Sequence, residues 1–423
     1  MPAAEAVRPV SLEGSKDLFG HLRFHAHVAL AVSGGSDSTA LMWLASRWAR
    51  ATARPPKISV LTVDHGLRPE ATGECATVVK WAKALGLDAH ILTWRGEKPA
   101  SGLQAKAREM RYGLLNAWCE SQGAAALVTA HTLEDQAETF LMRLARGSGI
   151  KGLAAIRSDE TGQVLLERPL LGVSRAELRA TLVAAHHPWI DDPSNEDTRF
   201  ERVRLRKAAP VLRELGLSPQ AIARSAMRLE RALIPLQGMA SDFMARHVEV
   251  RPQGFAMVEL SAFRKLDDEI AVAVLERLLG HLGGGAEPPR LMAVEALQAW
   301  LRRGDAQVRT LAGCRIARRK SHLLIGREAG RISARPVVLA AGQNVLWDNR
   351  FTVSITGADR PCTIVPVKAL KLARQGDIPA FVQEGLPAIL SQGEIAAVPS
   401  LGIMGKAAPP GLRAHAEFRK IGP

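Results

Sequence analysis

Cysteine is scarce in this sequence, and its spacing excludes the usual cysteine-based sites. The 423 residues include four cysteines, at positions 75, 119, 314 and 362. These gaps fit neither a disulfide framework nor a CxxC pair that would hold a metal or carry out redox chemistry. We therefore expect a protein of a reducing compartment.

Long apolar stretches are also absent. The longest run without Asp, Glu, Lys or Arg has 13 residues, at 24–36 and again at 121–133. A membrane-spanning helix needs about 20 apolar residues, and residues 1–11 lack the apolar core of a signal peptide. These absences predict a soluble, cytoplasmic protein that does not associate with membranes.

Acidic residues are outnumbered by basic ones. There are 56 Lys+Arg against 42 Asp+Glu, so the net charge is +14. Residues 1–216 carry 28 basic and 24 acidic groups (net +4), and residues 217–423 carry 28 and 18 (net +10). Such an excess favours a polyanionic partner, because basic side chains displace counterions from phosphates. The alternative is a compositional bias that only affects solubility.

Apolar strands and amphipathic helices alternate through the first 190 residues. The pattern predicts a Rossmann-like α/β fold with a parallel sheet that is covered on both faces. Ligands bind such sheets at the carboxyl ends of the strands. The predicted strands are 27–32, 58–63, 89–94 and 125–130, and the predicted helices are 38–50, 71–85, 103–119 and 132–145.

The predicted secondary structure changes twice in the rest of the chain. Helical, Arg-rich sequence runs from 199 to about 246, and further helices are predicted at 270–281 and 291–301. From 337 the pattern is strand-rich, with many turns. We expect three domains: an α/β domain at 1–215, a mainly helical domain at 216–330 and a strand-rich α+β domain at 331–423.

The most informative motif is Ser-Gly-Gly-Ser-Asp-Ser at 33–38, between the first strand and the first helix of the sheet. Two glycines allow a tight turn, and the amides at a helix start can cradle an anion. No lysine stands where a Walker A loop would have one. Asp37 suits a Mg²⁺ ion that bridges phosphate oxygens. The alternative is a serine-rich helix cap, with Asp37 offsetting the helix dipole.

This motif resembles the PP-loop of the ATP pyrophosphatases. Those enzymes cleave ATP between the α- and β-phosphates and transfer AMP to an oxygen of their substrate. The resemblance implies a Rossmann-like PP-loop domain and Mg²⁺ held by Asp37. It also implies an ATP site made by Ser33, Gly34, Gly35, Ser36, Asp37 and Ser38.

Further motifs make the chain similar to the tRNA(Ile)-lysidine synthetase family. They are VDHGLR at 63–68, HTLEDQAET at 131–139, RGSGIKGL at 146–153, RPLL at 168–171 and DPSN at 192–195. The family joins free L-lysine to the wobble cytidine of the tRNA(Ile) that carries a CAU anticodon. The resemblance therefore implies a ligase with ATP, L-lysine and tRNA as substrates, working as a monomer or a homodimer.

Three acidic or imidazole side chains open the fourth predicted helix. His131, Asp135 and Glu138 lie at i, i+4 and i+7 and would share one face. Two carboxylates suit the two ammonium groups of lysine. The resemblance assigns Asp135 and Glu138 to lysine and His131 to the reaction centre. The alternative is a solvated acidic face favoured by the helix dipole.

The resemblance also places Asp64 and His65 at the nucleotide, although both could simply cap the end of their strand. Arg202 and Arg206 would contact the tRNA backbone or the activated intermediate, because arginine makes bidentate phosphate contacts. We expect them to share a helix face with Arg199. Val203 stands where the family usually has asparagine. Solvated surface arginine is the alternative.

The loop after the fourth helix offers two interpretations. Gly147, Gly149 and Gly152 could form a flap over the site, with Arg146 or Lys151 on a phosphate, or Gly147 could merely end the helix.

Three other functions are alternatives to lysidine synthesis. A sulfur-transferring PP-loop enzyme would need paired cysteines or a cluster. An amide-forming PP-loop enzyme would not need the basic second half. A non-catalytic RNA-binding module would not need Asp37 together with Asp135 and Glu138.

Overall fold

The computed structural model describes residues 7–419 except 97, 100–101, 155, 157–158, 162–163, 192–198, 200, 286–288, 304–307 and 371. The chain divides into two compact units, residues 1–231 and 232–423. The division falls inside one long helix. Among the described residues, no helix has the length and apolarity that a bilayer crossing demands.

Strands and helices alternate through the first unit. In chain order its elements are α1 (Leu12–Phe19), β1 (His27–Ala31), α2 (Ser36–Arg50), β2 (Lys57–Asp64), α3 (Ala71–Ala84), β3 (Asp88–Thr93), α4 (Leu103–Gln122), β4 (Ala126–Val128), α5 (Leu133–Ala145), α6 (Ile150–Leu153), β5 (Asp159–Thr161), β6 (Val164–Glu167), α7 (Arg175–Ala184), α8 (Glu201–Glu214) and α9 (Pro219–His247), which continues into the second unit.

These strands form one sheet in the order β3-β2-β1-β4-β6-β5. The first five are parallel, and the edge strand β5 runs antiparallel to β6. In the centre, Val28 of β1 lies opposite Ile58 of β2 and Ala126 of β4. The predicted Rossmann-like parallel sheet is confirmed. The sequence patterns did not predict α1, β5, β6 or α7.

Alternate side chains of β1 enter two separate cores, which explains why the strand is apolar throughout. Val28 and Leu30 pack in a cluster with residues of α1, α2, α3 and α7, including Trp48. Ala29 packs on the other face with Leu115 of α4. Both faces of the sheet are therefore covered, and its carboxyl edge is left for ligands.

The second unit combines helices with antiparallel sheets. Its elements after α9 are β7 (Val248–Arg251), β8 (Phe255–Glu259), α10 (Leu260–Phe263), α11 (Asp268–Leu282), α12 (Leu291–Arg303), β9 (Val308–Leu311), β10 (Cys314–Arg319), β11 (His322–Arg327), β12 (Val337–Leu339), β13 (Asn344–Trp347), β14 (Phe351–Thr356), β15 (Cys362–Pro366), α13 (Ala380–Gln383), β16 (Pro387–Ser391), β17 (Glu394–Val398), β18 (Ile403–Met404) and β19 (Arg413–Phe418).

Three sheets arise from these strands, in the orders β7-β8-β11-β10-β9, β12-β15-β16-β17-β18 and β13-β14-β19. One apolar cluster runs through the unit, from Leu275 of α11 to Ile325 of β11 and Phe351 of β14. The strand-rich C-terminal part is confirmed. The β7–β8 hairpin was not predicted, because the four alternating residues of β7, VEVR, form too short a run to stand out directly after a long helix.

All four cysteines are free and buried. Burial raises the pKa of the Cys119 thiol to about 11 and that of Cys314 to about 12. These thiols therefore stay protonated at neutral pH and are poor nucleophiles.

Candidate active site

The candidate site lies at the carboxyl ends of β1 and β4, two neighbouring strands at the centre of the sheet. The connection after β1 leads to β2 on one side, and the connection after β4 leads toward β6 on the other. Such a reversal opens a crevice between the two strand ends. The chain leaves β1 into the 33–38 loop and leaves β4 toward His131.

The 33–38 loop turns sharply into α2. Gly34 has a φ of +93°, and its carbonyl accepts a hydrogen bond from the amide of Ile190 at 2.9 Å. Ser38 Oγ accepts from the Ser33 amide at 3.1 Å and donates to the Gly35 carbonyl at 3.1 Å. Since α2 begins at Ser36, its first amides have no acceptor within the helix and can bind an anion.

Asp37 stands in the first turn of α2 and is held from two sides. Its Oδ1 accepts from Ser36 Oγ at 3.2 Å, and its Oδ2 lies 3.4 Å from Nε of Arg175. Burial raises the pKa of Asp37 despite the opposing charge of Arg175. Mg²⁺ is commonly bound through one or two carboxylates together with substrate phosphates. The residues present therefore fit that mode with Asp37 as the protein ligand, and no group of three metal-binding side chains occurs in the described part of the chain.

The fourth predicted helix starts later than expected. α5 begins at Leu133, and Thr132 is its N-cap, so His131 precedes the helix and does not share its face with Asp135 and Glu138. Asp135 takes part in a capping box, since its Oδ2 accepts from the Thr132 amide at 2.9 Å and from Thr132 Oγ1 at 3.0 Å. The cap fixes the direction in which the carboxylate points.

His131 is nevertheless in the same crevice. Its Nδ1 lies 2.9 Å from Thr129 Oγ1. Burial lowers the pKa of His131 to about 4; Asp135 opposes this effect, and neighbouring arginines that include Arg202 add to it. The imidazole is therefore neutral at physiological pH and can exchange hydrogen bonds at a reaction centre.

Two arginines neutralise the carboxylates of α5. Arg175 donates to Asp135 Oδ1 at 2.6 Å and to Glu138 Oε1 at 2.8 Å. Arg206 of α8 donates to the same Glu138 oxygen at 2.8 Å and has a nitrogen 4.0 Å from Asp135. The bond network lowers the pKa of Asp135, although burial alone would raise it. The alternative of a solvated acidic face is therefore wrong, because Asp135 and Glu138 are buried and paired with arginines.

Sequence reasoning did not single out Arg175. A pattern that could have found it is Ser174-x-x-Glu177, a capping box that marks the start of a helix. That start puts Arg175 in the first helical position of α7, just after the strand β6. Nothing in the local pattern says that its side chain would meet α2 and α5.

A cavity of about 190 Å³ adjoins the cluster, between α5, α8 and the beginning of α9. Its polar end is formed by Glu134, Glu138, Arg175 and Arg206, and its walls by apolar residues of the three helices, among them Leu141, Leu205, Leu212 and Ile222. Arg213 also lines the cavity, so two carboxylates there face three guanidinium groups, and the lining has no excess of negative charge.

Asp64 is the last residue of β2, and His65 begins the turn that follows. Both carboxylate oxygens of Asp64 are used locally, by the Gly66 amide at 2.8 Å and by Thr72 Oγ1 at 2.7 Å. Arg111 Nε donates to His65 Nε2 at 3.3 Å, and burial together with that arginine lowers the pKa of His65 to about 4. Asp64 thus stabilises its own turn, and an ATP contact of either residue stays a prediction.

The arginines around α8 are arranged differently from the expectation. The helix begins at Glu201, so Arg199 lies before it and does not share a helix face with Arg202 and Arg206. Val203, at the position where the family usually has asparagine, is 6% exposed and packs as an apolar side chain. The DPSN motif at 192–195 lies outside the described residues.

The glycine-rich loop after α5 contains an ordinary helix end. Gly147 has a φ of +67°, and its amide donates to the Leu144 carbonyl at 2.9 Å. This is the left-handed conformation that glycine adopts at helix C-termini. Arg146 pairs with Glu201. The short helix α6 follows.

The chain is similar to a known domain family and to several curated proteins. The family model described as a PP-loop domain matches residues 13–212. The tRNA(Ile)-lysidine synthase of Bradyrhizobium diazoefficiens is 46% identical over 301 residues, which are 69% of this chain and 83% of the relative. The synthase of Ruegeria pomeroyi is 38% identical over 404 residues, 92% of this chain and 94% of the relative.

The chain belongs to the tRNA(Ile)-lysidine synthase family. A third relative, from Rhodopseudomonas palustris, is 44% identical and covers 75% of this chain and 94% of its own length. The resemblance carried by the sequence motifs is therefore confirmed. The family is one of ATP-using PP-loop enzymes, and the residues matched by the domain model include the 33–38 loop at the end of β1.

Proposed function

We propose that this chain uses ATP to join L-lysine to C2 of the wobble cytidine in the tRNA(Ile) that has a CAU anticodon. The products are lysidine in the tRNA, AMP and pyrophosphate. The observation that carries the proposal is the meeting of the 33–38 loop with Asp135 and Glu138 through Arg175 in one crevice. An anion site and a cation site are thereby adjacent, as a reaction between ATP and lysine requires.

ATP binds with its terminal phosphates on the 33–38 loop. The free amides at the start of α2 and the hydroxyls of Ser33 and Ser36 would bind that anion, while Ser38 braces the loop through its bonds to Ser33 and Gly35. Asp37 would hold Mg²⁺, which offsets the charge of the phosphate oxygens. Asp64 and His65 would complete the nucleotide site beside this loop.

The cytidine reacts first. Its O2 attacks the α-phosphorus of ATP, the bond to the leaving pyrophosphate breaks, and C2 of the adenylated base becomes electrophilic. The base is reachable because the anticodon loop is single-stranded. Neutral His131 stands close to this centre as a hydrogen-bonding partner, and Arg202 and Arg206 are placed to stabilise the phosphate charge or contact the tRNA backbone.

Lysine reacts second. Asp135 and Glu138 supply the negative potential that attracts its ammonium groups, with part of that charge offset by Arg175 and Arg206. The ε-amine loses a proton, attacks C2 and forms the new carbon–nitrogen bond, and AMP departs with the O2 oxygen. Catalysis then depends mainly on positioning the reactants.

The remaining parts of the chain serve tRNA binding in this proposal. Residues 1–215 form the catalytic domain, and the segments 216–330 and 331–423 contact the tRNA. Residues 217–423 carry the larger share of the excess charge, net +10, which suits a polyanion. The substrates place the enzyme in the cytoplasm, and a homodimer remains a prediction.

A direct assay tests the function. The protein is incubated with ATP, radiolabelled lysine and a tRNA(Ile) transcript with cytidine at the wobble position. Label in the tRNA that depends on ATP is expected, and the same transcript with uridine at that position should stay unlabelled. Absence of label, or a requirement for a sulfur donor, would contradict the proposal; the protonated, buried cysteines already disfavour sulfur transfer.

A further inference from the structure

Arg175 uses each of its three guanidinium nitrogens on a different carboxylate. Nε lies 3.4 Å from Asp37 Oδ2, Nη2 donates to Asp135 Oδ1 at 2.6 Å, and Nη1 donates to Glu138 Oε1 at 2.8 Å. The side chain is only 19% exposed. Burial opposes its charge, but the three carboxylates outweigh burial and raise the pKa of Arg175.

The carboxylates belong to two separate elements. Asp37 is in the first turn of α2, next to the phosphates of bound ATP, whereas Asp135 and Glu138 are on α5. The main chain of Arg175 is anchored as well, because its amide donates to Glu134 Oε2 at 2.9 Å. Among the described residues, Arg206 pairs with Glu138 and Asp135 but not with Asp37. Arg175 is therefore the cation that links the two elements.

We propose that Arg175 is a positioning residue that holds the ATP-binding loop and the lysine-recognising helix in one fixed arrangement. The inference rests on the proposed function. Without this guanidinium, Arg206 would still offset the α5 carboxylates, but it would not bridge them to Asp37. Mutual repulsion would then move Asp37 away from the phosphates and the α5 carboxylates away from the amine. Both halves of the reaction therefore depend on one side chain.

Lysine cannot replace arginine here. A guanidinium offers three nitrogens in a fixed planar fork, whereas an ammonium is a single point charge. Arg175→Lys keeps the positive charge, but its ammonium group cannot contact all three carboxylates at once. We expect this variant to fold and to be slow in both half-reactions.

The test separates adenylation from lysine transfer. ATP–pyrophosphate exchange in the presence of tRNA reports the first step, and the KM for lysine in the labelling assay reports the second. Arg175→Ala should lower exchange and raise the lysine KM, each by about 10- to 100-fold, the range for a lost charged hydrogen bond in a buried site. Arg179→Ala is the matched control, because Arg179 is exposed one turn further along α7.

Chemical rescue distinguishes positioning from a purely structural role. Guanidinium ion at about 10 mM, far below denaturing concentrations, should restore exchange and lysine use of Arg175→Ala together and leave Arg179→Ala unchanged. Unchanged exchange in Arg175→Ala, or loss of both activities without rescue, would overturn the inference. If Arg175→Ala does not fold, Arg175→Lys decides: wild-type rates in that variant would also overturn it.

Failure of the proposed function has a different signature. A wild-type protein that attaches no lysine to tRNA(Ile) contradicts the function itself. Calorimetric titration with MgATP needs no tRNA and tests the link between Arg175 and the loop in either case. We expect affinity about 10-fold weaker in Arg175→Ala, and an unchanged dissociation constant would refute the link.

Discussion

Gly34 lies in the 33–38 loop, and the free-energy cost of replacing it can be estimated from the structure. Its φ of +93° belongs to a region that side chains rarely adopt. A methyl group at this position would also stand 2.7 Å from Cδ1 of Ile190 and 3.2 Å from Cγ2 of Val78. Gly34→Ala therefore combines backbone strain with steric overlap in the loop that we propose binds phosphate.

The two contributions can be estimated separately. Holding alanine at such a φ costs about 1–3 kcal/mol. Displacing the end of the Ile190 side chain from its preferred rotamer adds about 0.5–1.5 kcal/mol. A total of about 1.5–4.5 kcal/mol would lower the melting temperature of a domain of this size by about 3–18 °C. The ATP KM should rise too, because a shifted loop no longer aims its amides at the phosphates.

Thermal unfolding followed by circular dichroism measures this cost. Gly113→Ala is a matched control, because Gly113 lies exposed within α4, with no atom within 4 Å of the added methyl group. It should be about 0.5–1 kcal/mol more stable than the wild type. A double-mutant cycle that combines Gly34→Ala with Ile190→Ala isolates the free energy of the steric overlap between the two side chains. A Gly34→Ala variant that melts at the wild-type temperature would refute the reasoning.

Three further predictions concern the charged groups of the site. Asp37→Asn should abolish ATP–pyrophosphate exchange, and near-wild-type exchange would contradict a metal-binding role. Asp135→Ala should raise the lysine KM more than it lowers exchange, and an unchanged lysine KM would refute its assignment. His65 and His131 have pKa values of about 4, below the usual 6.5. As the pH falls below 6.5 the unfolded chain takes up protons that the folded chain does not, so the free energy of unfolding should decrease toward pH 4. Denaturant titrations at several pH values should show a shallower decrease in His131→Gln, and an identical slope would contradict this account.

Features that depend on neighbours along the chain could be predicted from the sequence. The strand and helix alternation of the first unit follows from local apolar patterns, and the central strands of the sheet are parallel, as predicted. The 33–38 loop could be recognised because a tight turn and a helix start need particular residues at fixed spacing. The patterns failed at β7, because a strand of four residues directly after a long helix is too short to give a distinct signal.

The candidate site shows the same division between local and distant interactions. The sequence by itself determined that Asp135 and Glu138 would lie one turn apart on a helix at a strand end, because helical spacing fixes their common face. Only the tertiary structure decided that Asp135 caps this helix and that Arg175 joins its carboxylates to Asp37. Contacts between residues far apart in the chain are set by how elements pack. No local pattern contains that information, since the energy of such a pair exists only once the sheet has brought its members together.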